Sequence, residues 1–450
     1  MNPVVVSAPA SKSLSHRTLI AAALAGGVSR LSGLLESDDT TRTREILTAF
    51  GAGFRYLGPG AYEVTGLAGK VEHHDAEPLS CFVGESGTTC RLLPAVAAAW
   101  KGAFRFHGAG RMHQRPIKEL TDALQSLGAG IRFEGEPGNP PLLVEAHGLD
   151  AVSLPEREVG VGCDESSQYL SGLLLAAPLG QGLRIRLGGE KAVSWPYVSL
   201  TLDTLERFGI TFRVETRLAG EWLPCDWRSL HEGLPGRVRF LVESGMYRAG
   251  AYAVEGDWSG ASYFLAAGAI GPRPVRVEGL NSRSLQGDAA LVEIIRQMGA
   301  RVDMDAAGVL VSPAPLRGVD VDMGHCPDLV PTVAALAAHA EGETRVRNVA
   351  HLRIKESDRL AAPAEELAKV GCAVTILDDG LIVTPPAGGP RKPAEGVIFS
   401  AHHDHRMAMS VSLLGLPGRN GQGFAVPVDN PGCTAKSFPH FWDLWKQVIA

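Results

Sequence analysis

The stretch "SKSLSHR", Ser11–Arg17, gathers three hydroxyls, a lysine, a histidine and an arginine directly before the apolar run "TLIAAALA". A helix N-terminus exposes unpaired N–H groups and the positive end of the dipole, so such a mouth suits a phosphate or carboxylate. Ser13 and Arg17 are four apart and share a helical face, with Lys12 at the entry. Five more polar mouths precede or open apolar runs: "GESGTTCR" (Gly84–Arg91), "DESSQ" (Asp164–Gln168), "GDWSGAS" (Gly256–Ser262), "CPDLVPT" (Cys326–Thr332) and "HHDHR" (His402–Arg406). Capping by Ser, Thr or Asp explains any one of them. Six in one chain, several with Lys or Arg, argue for anionic ligands.

Further cations lie outside the mouths. Arg111 and Arg115 are four apart in "GRMHQRPIKEL". Lys355 and Arg359 stand at the same helical spacing in "LRIKESDRLAAPAEEL", with Glu356 adjacent, and "GCTAKSFPHF" holds Lys436. No GxxxxGK[ST] phosphate loop occurs, which argues against a nucleoside triphosphatase. His402, His403 and His405 beside Asp404 could suggest a metal, but the apolar run after them favours a helix mouth, and no metal site is expected.

Two recurring patterns must position these groups. One is a helix tail ending in Gly and followed by an alternating strand: "ILTAFGAGFRYL", "ALQSLGAGIRF", "TLERFGITFRV", "IIRQMGARVDM" and "ELAKVGCAVTIL". The other is the apolar run itself: "LIAAALA", "LLPAVAAAW", "YLSGLLLAAPL", "YFLAAGAI", "TVAALAAHA" and "MAMSVSLLGL". A helix apolar on nearly all sides must be buried on nearly all sides. The copies recur at roughly 70–90 residues, long enough for a whole α/β subdomain. The expected fold is therefore α/β, with six related units in two domains. One domain takes residues 11–250; the other takes 1–10 with 251–450. Glu215–Ala249 breaks the rhythm with turn residues.

Composition sets the outer limits. A chain of 450 residues exceeds one ordinary core, and 45% apolar with 20% charged residues fits a globular protein. A net charge of −6 argues against a generally basic, nucleic-acid-binding surface. No apolar run is long enough to span a membrane, and "MNPVVVSAPASKS" has no signal-peptide pattern. The seven cysteines are scattered and never spaced CxxC, which points to a reducing, cytoplasmic location without structural zinc.

Read in order, "SKSLSHR", "GESGTTCR", "QRPI", "SSQYL", "VEGDWSGASYFLAA", "LQGD", "RIKESDRL", "DHRMAM" and "CTAKSFP" resemble the EPSP synthase family over nearly the whole chain. The resemblance implies two domains, each of three βαβαββ-type units with buried parallel helices, closing about a hinge. It also implies transfer of the enolpyruvyl group of phosphoenolpyruvate to the 5-hydroxyl of shikimate 3-phosphate, without a cofactor, by a monomer. By motif, Lys12, Ser13, Arg17, Ser166, Ser167, Gln168, Ser194, Tyr197, Asp328 and Lys355 would bind shikimate 3-phosphate. Lys12, Gly87, Arg115, Gln168, Arg359, Arg406 and Lys436 would bind phosphoenolpyruvate. Asp328 would accept the hydroxyl proton and Glu356 would protonate the methylene, with Lys12 also catalytic.

The chain departs from the family at several points. Glu85 stands where Asn is frequent, and would repel an anion unless a cation such as Arg91 neutralises it. Trp195 replaces a frequent Lys in "SWPY", and His351 replaces an Asn of some members. Asp164 and Glu165 add negative charge before "SSQ". Two other readings remain open. One is enolpyruvyl transfer to a UDP-amino sugar, opposed by the lack of a cysteine in "GAGRMHQRP". The other is a non-catalytic anion-binding homologue.

Overall fold

The repeated helix tails end in glycine for a conformational reason. Gly51, Gly128, Gly209, Gly299 and Gly371 take φ from 75° to 106°, a region that costs any residue with a Cβ. A strand follows each: Gly53–Gly58, Gly130–Phe133, Phe212–Leu218, Arg301–Asp305 and Ala373–Ile376. The apolar runs form the helices Lys12–Leu24, Gly87–Ala98, Gln168–Ala176, Trp258–Ile270, Val330–Ala338 and His405–Val411. With no polar stripe to offer solvent, they are buried all round; Trp258–Ile270 is buried at every position but Gly260.

This computed structural model describes residues 2–71, 73, 77–149, 158–418 and 421–449. The chain divides into two compact units, Lys12–Val254 and Met1–Ser11 with Glu255–Ala450. The architecture is mixed α/β, with five small sheets among the described residues.

In the unit Lys12–Val254, one sheet runs Ala251–Ala253, Val28–Ser32, Ala61–Thr65, Gly53–Gly58, and a second Leu79–Gly84, Lys101–Gly108, Leu142–His147, Gly130–Phe133. A third has five strands, in the order Glu221–Cys225, Phe212–Leu218, Val238–Val242, Leu183–Ala192, Glu158–Cys163. The rhythm-breaking segment thus supplies two strands to that sheet. The helix Gln168–Ala176 lies close to Gly87–Ala98: a Cβ on Gly172 would sit 2.6 Å from the Arg91 carbonyl oxygen. Glycine permits the approach, which sets the two helix mouths side by side.

In the other unit, Val4–Ser7 pairs parallel with Val275–Glu278, followed by Gly308–Ser312 and Arg301–Asp305 in antiparallel order. The second sheet repeats the pattern with Asp320–Asp322, Thr344–Arg347, Leu381–Thr384 and Ala373–Ile376. Trp258–Ile270 and Val330–Ala338 pack together in the core below.

One local expectation fails. The helical spacing of Lys355 and Arg359 places them on one face, yet the segment is a 3-10 turn at Ala350–Ile354 followed by an irregular stretch. Asp358 Oδ1 accepts from Leu360 N at 2.9 Å and Ala361 N at 3.1 Å. That side chain caps the next helix, so Ala361–Ala368 starts only beyond Arg359. No helix among the described residues is long and apolar enough to cross a membrane.

Candidate active site

In the unit Lys12–Val254, helix mouths converge on a set of polar side chains. Lys12 Nζ lies 3.3 Å from Asp39 Oδ2 on the neighbouring helix Asp38–Ala49. Arg17 turns inward and is fully buried. Its guanidinium donates to Thr201 Oγ1 at 2.8 Å, to the Ser13 carbonyl at 2.9 Å, to the Tyr197 carbonyl at 3.0 Å and to Ser171 Oγ at 3.3 Å. Burial pulls its pKa down to about 10, so it stays charged at neutral pH. Arg17 thereby ties Ser13 to the helix carrying Tyr197.

The mouth of Gln168–Ala176 is joined to that of Gly87–Ala98. Gln168 donates Nε2–H to Thr88 Oγ1 at 3.0 Å and accepts from Arg91 Nη1 at 3.3 Å. Ser166 Oγ accepts from Gln168 N at 3.3 Å, and Ser167 Oγ donates to the Ser194 carbonyl at 3.2 Å. Ser194 is buried with φ 55°, a left-handed bend that opens the Pro196–Arg207 helix bearing Tyr197. Arg115 packs so closely on Gly87 that a Cβ there would lie 2.5 Å from Nη2. Arg115 also donates Nη1–H to the Glu85 carbonyl at 3.5 Å.

The departures resolve differently from one another. Trp195 is a core residue, against Phe240 and donating Nε1–H to the Leu230 carbonyl at 2.9 Å. Asp164 Oδ1 accepts from Glu190 N at 2.8 Å and Lys191 N at 2.9 Å, so its charge pins a turn. The Glu85 carboxylate is exposed and packs over Gly110. His351 is buried.

The other unit holds the carboxylates. Arg359, 2% exposed, spans three of them. It donates Nη1–H to Asp328 Oδ1 at 2.8 Å, Nη2–H to Glu356 Oε2 at 2.9 Å and Nε–H to Asp404 Oδ2 at 2.7 Å. Burial disfavours its charge, but Asp404, Glu356 and Asp328 together outweigh that and raise its pKa. Arg406 donates to Asp328 Oδ2 at 2.7 Å and Ser259 Oγ at 3.2 Å; Lys436 Nζ stands 3.6 Å from Glu356 Oε1. Asp328 comes from the 3-10 turn before Val330–Ala338, and Asp404 caps His405–Val411. Asp328 is the most open of the three carboxylates, 21% exposed against 11% for Glu356 and 0% for Asp404. Lys355 is half-buried next to Glu356. Asp328, Glu356, Arg359, Arg406 and Lys436, drawn from four separate motifs, therefore form one cluster.

Sequence reading missed several partners. In the sequence Asp404 reads only as a neighbour of histidines, yet it holds two edges of Arg359. Asp288, buried near Asp328, Arg406 and Asp257, has its pKa raised well above the usual carboxylate range, chiefly by burial. His16 is wholly buried, which lowers its pKa to about 3 and leaves it neutral. Its Nδ1 lies 2.7 Å from Thr43 Oγ1, which meets Thr89 Oγ1 at 2.7 Å, which meets Ser86 Oγ at 2.7 Å. That chain links three helices behind the mouths. The place of His16 directly before an apolar run is the sequence signal for its burial.

Helix mouths lined with cations, and carboxylates pinned between guanidinium groups, suit the binding of anionic ligands. The chain superposes on a solved EPSP synthase from Acinetobacter baumannii with TM-score 0.75 at 25% identity, covering 99% of this chain and 95% of that one. It shares its fold with the enolpyruvyl transferase NikO from Streptomyces tendae, at TM-score 0.68 and 20% identity, over 100% and 94% of the two chains. The sequence profile of the family described as EPSP synthase (3-phosphoshikimate 1-carboxyvinyltransferase) matches residues 4–221 and 233–445. The 3-phosphoshikimate 1-carboxyvinyltransferase of Nitrosomonas europaea is 41% identical over 98% of this chain and 95% of its own length. That of Herminiimonas arsenicoxydans is 39% identical over 99% and 94%. The chain belongs to the EPSP synthase family.

If Arg115 binds phosphoenolpyruvate, as the resemblance implies, Gly87→Ala should raise the KM for phosphoenolpyruvate about tenfold or more, the scale of one lost hydrogen bond to a charged group. The new methyl must displace the Arg115 guanidinium. Steady-state kinetics with each substrate varied in turn checks this. An unchanged KM would count against any role of Arg115 in binding phosphoenolpyruvate.

Proposed function

We infer that the chain transfers the enolpyruvyl group of phosphoenolpyruvate to the 5-hydroxyl of shikimate 3-phosphate and releases phosphate. The hydroxyl oxygen bonds to C2 of phosphoenolpyruvate while C3 gains a proton. The C2–O bond to phosphate then breaks and C3 loses a proton, restoring the double bond. Cations make it tolerable to hold two phosphates and two carboxylates together.

In this reading, Lys12, Ser13, Arg17, Ser166, Ser167, Gln168, Ser194 and Tyr197 hold shikimate 3-phosphate, together with Asp328 and Lys355. Lys12, Gly87, Arg115, Gln168, Arg359, Arg406 and Lys436 hold phosphoenolpyruvate. Asp328 takes the hydroxyl proton, Glu356 delivers the methylene proton, and Lys12 assists. The observation that carries it is the cluster of Asp328, Glu356, Arg359, Arg406 and Lys436. An arriving carboxylate can take over guanidinium N–H groups that now serve Asp328, freeing that carboxylate as a base. The six buried helices support a reading as six βαβαββ-type units, three in residues 11–250 and three in the remainder. The seven free cysteines support a cytoplasmic location, and a monomer is the working state.

The test is phosphate release with both substrates supplied, against either alone and against a UDP-amino sugar as acceptor. Release only with shikimate 3-phosphate and phosphoenolpyruvate together is expected. No release with that pair across a broad pH range would overturn the reading.

A further inference from the structure

Asp404 grips Arg359, and Arg406 follows two residues later, so something must fix the segment that presents them. The segment Ser400–Asp404 is an arch in an unfavourable conformation: His402 and His403 both take left-handed φ, 49° and 54°, which residues with a Cβ rarely adopt. Two carboxylates pin it. Asp429 accepts from Ser400 Oγ and Ala401 N, each at 2.8 Å. Glu366, on the helix Ala361–Ala368, accepts from His402 Nε2 at 2.9 Å, Ser400 N at 2.9 Å and Lys369 Nζ at 2.6 Å. The arch closes with Asp404 N on the Ala401 carbonyl at 2.8 Å.

Glu365, Glu366 and His402 offer ligand atoms close enough to share a metal. The Lys369 ammonium already occupies the Glu366 carboxylate, so an ion pair is the better account of the group.

We propose that Glu366 and His402 are positioning residues for phosphoenolpyruvate: their contact holds the arch, and the arch sets Asp404 against Arg359 and aims Arg406. The proposal rests on the reaction inferred above. The groups facing His402 are Glu366, Glu365 at 3.8 Å, Lys369 beyond Glu366, and Asp429. The Glu366 hydrogen bond, first, raises the His402 pKa above its ordinary 6.5. Burial disfavours the Glu366 charge, but His402 and Lys369 outweigh it and lower its pKa. The latch is thus ionic between the lowered Glu366 pKa and the raised His402 pKa, and loses the histidine charge as pH rises through the latter.

The test is steady-state kinetics on the full chain between about pH 5.5 and 8.5, with calorimetric titration of shikimate 3-phosphate and thermal melts. His402→Ala is expected to raise the KM for phosphoenolpyruvate about tenfold, leaving the affinity for shikimate 3-phosphate unchanged. His402→Gln, which keeps an N–H donor, should recover most of that loss. In the unaltered chain the KM for phosphoenolpyruvate should rise as His402 deprotonates, and that component should be absent in His402→Gln. If His402→Ala does not fold, the pH profiles of His402→Gln and Glu366→Gln decide. Unchanged KM values, equal losses for both substrates, or an unaltered pH profile in His402→Gln would overturn the latch alone. No turnover by the unaltered chain would overturn the underlying reaction, and the latch with it.

Discussion

Asp328→Asn should lower turnover by about 10²- to 10⁴-fold, the usual contribution of a positioned general base. The amide has nearly the same shape but cannot take the hydroxyl proton. It also withdraws a negative charge from Arg359 and Arg406, each of which donates to Asp328 at 2.7–2.8 Å. Those guanidinium groups then meet an incoming anion with less competition, so the KM for phosphoenolpyruvate should hold or fall. Phosphate-release kinetics and calorimetric titration of shikimate 3-phosphate separate the two effects. A variant that turns over as fast as the unaltered chain would remove Asp328 as the proton acceptor.

The second large effect concerns stability as well as binding. Arg359→Ala leaves Asp404, with no exposure, beside Glu356 and Asp328 without the guanidinium that joins them. Breaking a buried ion pair from one side costs about 3–5 kcal/mol, because the remaining charge is stranded. The urea midpoint should fall accordingly, and phosphoenolpyruvate binding should be lost. The double variant Arg359→Ala with Asp404→Asn should regain part of the stability, since it removes the most deeply stranded charge, but no activity. An unchanged urea midpoint in the single variant would show that Arg359 is not the keystone of this cluster.

Much of the molecule is legible in its sequence. The glycine stops followed from one fact, that positive φ is cheap only without a Cβ, and all five take it. The all-round apolar runs could only be buried helices, and they are. The site residues were nominated motif by motif, and Glu356, Arg359, Arg406, Asp328 and Lys436 are neighbours in space. The spacing of Lys355 and Arg359 misled, because a competing cap at Asp358 delays the helix and periodicity does not weigh a cap against a turn. Trp195 looked like an altered substrate contact, yet burial makes it part of the core.

The sequence by itself determined the alternation of helix, stop and strand, the inward collapse of the alanine-rich helices, and the family. These depend on neighbours in the chain, on which residues can adopt a given φ, and on which must leave water. Only the tertiary structure decided which charge meets which: Asp404 with Arg359 across 45 positions, and His16 with Thr43 across 27. Such pairings depend on the distance between segments remote in sequence and on the water excluded around them, which no local pattern of residues records.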